Sequence, residues 1–224
     1  AIPGLRAAYR IAAGQPEAVV LVVCAELCSL HIRSSDDPEQ IVAASIFADG
    51  AAAAVVSADP ARQTGARLEL QGFGTRLADE GEHDMVWTIG DEGFEMTLTA
   101  EVPRIVGRTI DAVATELFGG TGAVDAWAVH PGGRSVLDRV EAGLALDADA
   151  LADSRAVLRE YGNMSSATIL FVLQRMLGGD RFDGERLAVV AFGPGLTVEA
   201  ARMTARGVAS AALDAREYAA AALR

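Results

Sequence analysis

Short apolar runs, bounded by glycine, proline and aspartate, alternate along the chain with stretches whose apolar residues recur at helical spacing. The spacing predicts a helix over Leu5–Ala13, a break at Gly14–Pro16 and a strand over Val19–Ala25 that is apolar enough to be buried on both faces. A turn at Ser34–Pro38 leads to a helix over Gln40–Phe47. A second buried strand, Ala51–Ser57, ends at Asp59-Pro60. The pattern restarts at Ala66: Arg67–Phe73 alternates as a half-exposed strand, Leu77–Asp84 is a polar loop, and Phe94–Leu98 alternates again. Val102–Leu117 reads as a helix stopped by Gly119-Gly120, and Ala126–Val129 as a brief buried strand. Helical stretches at Ser135–Leu144, Ala150–Tyr161 and Ser165–Leu177 follow. Strands Leu187–Phe192 and Leu196–Ala200 are joined by Gly193-Pro194-Gly195, and an Ala-rich helix spans Ser210–Arg224. The result is a layered α/β protein.

Composition narrows what these layers can do. A net charge of −12 opposes a phosphate backbone, and no basic, aromatic-rich stripe offsets it, so nucleic acid is not an expected partner. Every one of the 19 basic residues is arginine, which excludes a Walker-type lysine, a Schiff base and a lysine general base. Charged residues and glycines interrupt each apolar run before it reaches membrane-spanning length, and the first residues show no export signal; a cytoplasmic location is expected. The preference for Ala, Gly, Arg and Asp over Lys and Asn fits a GC-rich bacterial gene. Cys24 and Cys28 lie within one apolar stretch without the second ligand pair a zinc site needs, so no metal is expected.

Three segments place an unusual polar residue or a tight turn at the end of a buried element, where sites are found. His130 follows the strand Ala126–Val129 and precedes Pro131-Gly132-Gly133, a loop whose backbone can approach a ligand; the residues equally allow a histidine satisfied at a strand end. Asn163, in Tyr161-Gly162-Asn163-Met164-Ser165-Ser166, could be a helix cap, yet it is the only asparagine in the chain. Its amide is a neutral donor that a carboxylate cannot replace, as oxyanion stabilisation requires. Phe192-Gly193-Pro194-Gly195-Leu196 is a tight hairpin that would also border a pocket. His83, in an acidic stretch, reads as a solvated loop residue.

Together WAVHPGG, YGNMSSAT and FGPGLTVE, in this order, resemble the three C-terminal signatures of the type III polyketide synthases, the chalcone-synthase-like family; VVCAEL and FADGAAA resemble two further segments. The similarity runs from Ala1 to about Ala200. It implies a thiolase-type fold of αβαβα layers, with residues 1–62 in the remainder of an N-terminal half and residues 63–224 forming the C-terminal half with its helical tail. It also implies a homodimer that uses acyl-CoA and malonyl-CoA as substrates and needs no bound cofactor. His130 and Asn163 would belong to a Cys-His-Asn site in which cysteine takes the acyl group. His130 would hold that cysteine as thiolate, and both residues would donate to the enolate and tetrahedral oxyanions. Phe47 matches the gatekeeper phenylalanine, Gly132, Gly133 and Ser135 the loop beside the pantetheine arm, and Pro194 the turn lining the cavity.

Some positions depart from the plant enzymes. Met96 stands at the second gatekeeper aromatic and Trp87 at a glycine, and Met85–Asp91 looks like the bacterial branch that makes alkylpyrones, alkylresorcinols and related phenolic products. The nucleophile is expected about three residues before Ala1, so these 224 residues alone are expected to be inactive and to need an N-terminal portion of the same protein. Cys28 could line the pocket. Two alternatives stand beside this reading: a ketoacyl-carrier-protein synthase III, which would carry a His-Gln-Ala-Asn type loop at His130, and a non-catalytic partner subunit.

Overall fold

The computed structural model describes residues 1–32, 35–91, 93–179 and 183–207. The helix expected over Ser210–Arg224, and Ser34 of the expected turn, lie outside the described residues. A four-stranded mixed sheet, in the order β3-β8-β7-β6, sits at the centre. It comprises β3 (Arg67–Leu77), β6 (Ala126–Val129), β7 (Arg186–Gly193) and β8 (Thr197–Arg206), with β6 parallel to β7 and the other pairs antiparallel. Side chains alternate across a strand, so each apolar run in this sheet feeds two cores at once. Ala126, Ala128, Leu187 and Val189 point to one side, where α1 (Ile2–Gly14) and α6 (Thr168–Leu177) pack. Trp127, Val129, Ala188 and Val190 point to the other, against α3 (Val102–Val113) and α4 (Arg134–Leu144).

Beyond α1 and α6 lies a second, two-stranded sheet, β1 (Val19–Glu26) antiparallel to β2 (Gly50–Ser57). Val20, Val22, Cys24, Ala52, Ala54 and Val56 face the helices. The opposite face carries Val19, Leu21, Val23 and Val55, all exposed. The expectation that both strands are buried on both faces is therefore corrected: a run such as Val19–Ala25 is apolar at every position, and composition does not say which of its faces another element covers. The helix expected over Val102–Leu117 ends as an α-helix at Val113 and is wound as one π turn over Ala114–Phe118, closed by left-handed Gly119. Phe118 meets Trp127 edge to face at 5.5 Å.

One strand was not foreseen. Met85–Gly90 forms β4 and pairs antiparallel with β5 (Gly93–Leu98), making a hairpin separate from both sheets. Its residues mix polar and apolar positions without burying one face, which is why alternation did not reveal it. The hairpin is fixed to α2 (Pro38–Ile46) by Gln40, whose Nε2 donates to the Met96 carbonyl at 2.6 Å. At its base Thr99 donates to the Asp84 carboxylate and carbonyl through its hydroxyl and backbone N–H. His31, Trp87 and Phe94 interlock edge to face. No helix among the described residues is long and apolar enough to cross a membrane.

Candidate active site

The C-terminal end of β6 delivers His130 to the floor of a cavity of about 770 Å³. Its backbone N–H continues the parallel ladder, donating to the Val190 carbonyl at 2.8 Å, so the side chain leaves the sheet where the strand ends. The residue is 8% exposed, and among the described residues the imidazole has no hydrogen-bonding partner. Burial pushes its pKa down from 6.5 to about 4, which leaves a neutral imidazole at neutral pH.

Asn163 reaches the same cavity from a different part of the chain. It is 3% exposed and forms an isolated parallel bridge with Phe47: its N–H donates to Ile46 O at 2.9 Å, and Ala48 N–H donates to its carbonyl at 2.9 Å. The amide orientation follows from its neighbours. Its Oδ1 accepts from Ser165 N–H at 3.0 Å, while Nδ2 donates to the Gly132 carbonyl at 3.4 Å. An Nδ2 carries two hydrogens, so one N–H remains for a ligand in the cavity. Gly132 N–H in turn donates to the His130 carbonyl at 3.0 Å, which couples the two residues through one loop.

This register depends on Gly162, which has φ 75° and ψ −166°, a region essentially reserved for glycine. A Cβ there would lie 3.1 Å from the Ile46 carbonyl that anchors Asn163 and 3.0 Å from Ala48 Cβ. Gly162→Ala is expected to cost about 1–3 kcal/mol from the backbone region alone. Urea unfolding checks this against Gly14→Ala, where a Cβ meets nothing within 4 Å and no loss is expected.

Of the residues singled out in the sequence, His130, Asn163, Phe47, Trp87, Met96, Pro194, Gly132, Gly133 and Ser135 all line this one cavity. Cys28 is not among its lining residues. It sits in a 3-10 turn, Cys28–His31, where burial and then the charges of Glu26 and Asp49 raise its thiol pKa, the opposite of what a nucleophile needs. Cys24 is buried in the core, and His83 is exposed beside Glu82. Phe47 and Ile46 form one apolar wall, Met85, Trp87, Met96 and Leu98 of the hairpin another, and Ala1, Ile2 and Pro3 at the start of α1 a third edge.

The structure adds polar residues that motif reading passed over. Ser166, on the cavity wall, donates to Glu26. Glu199, also on the wall, accepts from Thr75 at 2.9 Å and pairs with Arg6 at 3.4 Å. A carboxylate interrupting the apolar start of β8 was the one available signal for Glu199; Arg6 and Thr75 sit in unrelated segments.

Comparison with known proteins agrees in family and fold. The C-terminal domain of chalcone and stilbene synthases matches residues 71–208, and the N-terminal domain of the same enzymes matches residues 1–60. "Probable polyketide synthase 1" of Dictyostelium discoideum is 33% identical over 207 residues, 88% of this chain and 6% of that protein. Among solved structures, the C-terminal type III polyketide synthase domain of Steely1, a type I/III hybrid from Dictyostelium, superposes with a TM-score of 0.84 at 33% identity, covering 91% of this chain and 58% of that one. PKS-I of the brown alga Ectocarpus siliculosus superposes with a TM-score of 0.81 at 30% identity, covering 91% and 57%. The chain thus spans a little over half the length of these structures. With a family match over more than half its residues, and the layers to go with it, the chain belongs to the chalcone and stilbene synthase family, the type III polyketide synthases, and has their thiolase-type α/β fold.

Proposed function

We propose that the chain provides the oxyanion-binding and cavity-forming part of a bacterial type III polyketide synthase that condenses an acyl-CoA starter with malonyl-CoA. The observation that carries this reading is the meeting of a neutral buried His130 and the oriented amide of Asn163 in one largely apolar cavity. A cysteine preceding Ala1 would enter this cavity at the edge formed by Ala1 and Ile2. Its thiol proton would pass to neutral His130, and the thiolate would take the acyl group from the starter and release coenzyme A. Malonyl-CoA would then lose carbon dioxide, and its negative charge would develop on the thioester oxygen, toward which His130 and the free N–H of Asn163 donate. The enolate carbon attacks the cysteine thioester, the carbon–sulfur bond breaks, and a ketoacyl-CoA two carbons longer forms with the thiolate regenerated.

Phe47 and its apolar neighbours favour loss of a charged carboxylate, because a carboxylate is poorly solvated against them and carbon dioxide is not. A Cβ at Gly132 or Gly133 would make only ordinary contacts inside the protein, at 3.6 Å or more, so the fold does not require these glycines. What they keep open is the cavity side, where a pantetheine arm would pass along Ser135. Trp87 and Met96 narrow the wall opposite, which suits extended alkyl chains and cyclisation to a pyrone, resorcinol or other phenolic product. The complete enzyme would act as a homodimer in the cytoplasm.

The test is a synthase assay on the polypeptide encoded by the whole gene, with labelled malonyl-CoA and a series of acyl-CoA starters. Release of labelled carbon dioxide together with a labelled product that carries the starter is expected. A gene encoding a cysteine ahead of Ala1 whose protein releases no carbon dioxide would overturn the reading.

A further inference from the structure

The strand that presents His130, β6, lies at the open edge of the central sheet, with only β7 paired beside it. Successive N–H groups of a strand point to opposite sides, so half of those on an edge strand need partners from outside the sheet. The His130 N–H points inward and donates to the Val190 carbonyl at 2.8 Å. The Val129 N–H, one residue earlier, points outward, and Val129 is fully buried. It donates at 3.2 Å to Oγ of Ser154, which is itself only 1% exposed.

Ser154 belongs to α5 (Ala152–Tyr161), the helix that covers this edge. Leu151 and Leu158 pack into the core beside α3 and α4, and Val157 into the core beside α1 and α6. Ser154 lies at helical spacing between them, where an apolar residue would be expected, and meets the strand edge itself. A hydroxyl serves here because the edge offers a buried donor that an apolar side chain would leave unpaired. The helix is fixed on both sides. Arg155 pairs with Asp138 at 2.7 Å and with Glu141, both on α4, the helix that follows the His130 loop. Tyr161 packs its ring on Phe171 of α6 at 5.0 Å, and Gly162 then turns the chain into Asn163.

One helix therefore serves both donors of the site. Its first turn grips the strand of His130, and its last residue, about 10 Å further along, leads into Asn163. Among the described residues none of α5 lines the cavity, so whatever it does for the chemistry acts through the backbone. Resting on the synthase reading above, we propose that Ser154 is a positioning residue for the decarboxylation step: its hydroxyl ties the strand of His130 to the helix of Asn163 and sets the spacing of the two donors. Starter loading needs only His130 within reach of a thiol, whereas decarboxylation needs both donors aimed at one oxygen. The second step is the more sensitive, since misplacing a group by about 1 Å can cost on the order of a hundredfold in rate.

Kinetics on the polypeptide encoded by the whole gene test this, with carbon dioxide release from malonyl-CoA and acyl-enzyme formation measured separately. Ser154→Ala is expected to lower kcat for decarboxylation about tenfold, with KM for malonyl-CoA and the rate of starter loading within about twofold of the parent. Ser154→Thr, which keeps the hydroxyl, should recover most of the rate. In an Asn163→Asp background, where the second donor is already lost, Ser154→Ala should cost nothing further. Val157→Ala removes core volume from the same helix without touching the link, so it should lower the unfolding midpoint and leave kcat within about twofold. The proposal is overturned if Ser154→Ala lowers the midpoint but not kcat, if its loss persists in full beside Asn163→Asp, or if Val157→Ala loses as much activity. Ser154 is then a cap on the strand edge and nothing more. It is equally overturned if Ser154→Thr, at parent-like stability, is as slow as Ser154→Ala. All of these outcomes leave the synthase reading standing. A parent that releases no carbon dioxide and forms no acyl-enzyme sinks that reading and this role for Ser154 with it.

Discussion

Asn163→Asp in the complete synthase is expected to slow malonyl-CoA decarboxylation by about a hundred- to a thousandfold. The substitution keeps the size of the side chain and the acceptor that Ser165 N–H uses at 3.0 Å. It replaces the amide NH₂, which donates to the Gly132 carbonyl at 3.4 Å and offers its second hydrogen to the cavity, with a group that only accepts when ionised. The developing enolate oxygen would then meet a like charge where it needs a donor. His130→Gln, which keeps a neutral donor but no proton acceptor of comparable basicity, should instead spare part of decarboxylation and block loading of the starter. Carbon dioxide release and acyl-enzyme formation, measured separately, distinguish the two. If Asn163→Asp decarboxylates at near-parent rate while its unfolding midpoint drops, Asn163 is a structural cap and not an oxyanion donor.

Acid should weaken the fold through His130. Its pKa is 6.5 in an ordinary setting and about 4 here, so between these values the unfolded chain binds a proton that the folded chain refuses. Stability from this group is complete above pH 6.5 and is lost as pH falls toward 4, reaching about 2 kcal/mol by pH 5. Asp125 behaves in the same sense but in a lower window. Its hydrogen bonds from Arg186 hold it near 2, so its contribution is present above pH 3.8 and fades only below that. Urea unfolding at pH 7 and pH 5 should therefore show a loss that His130→Gln removes. An unchanged pH slope in that variant would mean that the imidazole is solvated enough to ionise freely. The same depression has a functional side: a neutral His130 is ready to accept a thiol proton, and an approaching thiolate would stabilise the imidazolium it creates.

What the sequence determined by itself is the layered α/β class, most element positions and most of the residues that were singled out and line the one cavity. Strand ends and glycine-rich turns leave local marks: an apolar run ending at His130, one asparagine after a glycine, a Gly-Pro-Gly hairpin. Three such marks in fixed order were enough to point to the family. Tertiary structure decided what local marks cannot encode. Which face of Val19–Ala25 is covered depends on helices elsewhere, since every position in the run is apolar. The hairpin strand Met85–Gly90 owes its form to pairing with Gly93–Leu98 and to Gln40, not to its own pattern. The neutrality of His130 comes from burial by several elements, and the aim of Asn163 from a backbone bridge to Phe47, across a separation in sequence that no local periodicity spans. Chemistry resides in residue types, which the sequence states outright; the desolvation and orientation that activate them are properties of packing, and arise only when distant segments meet.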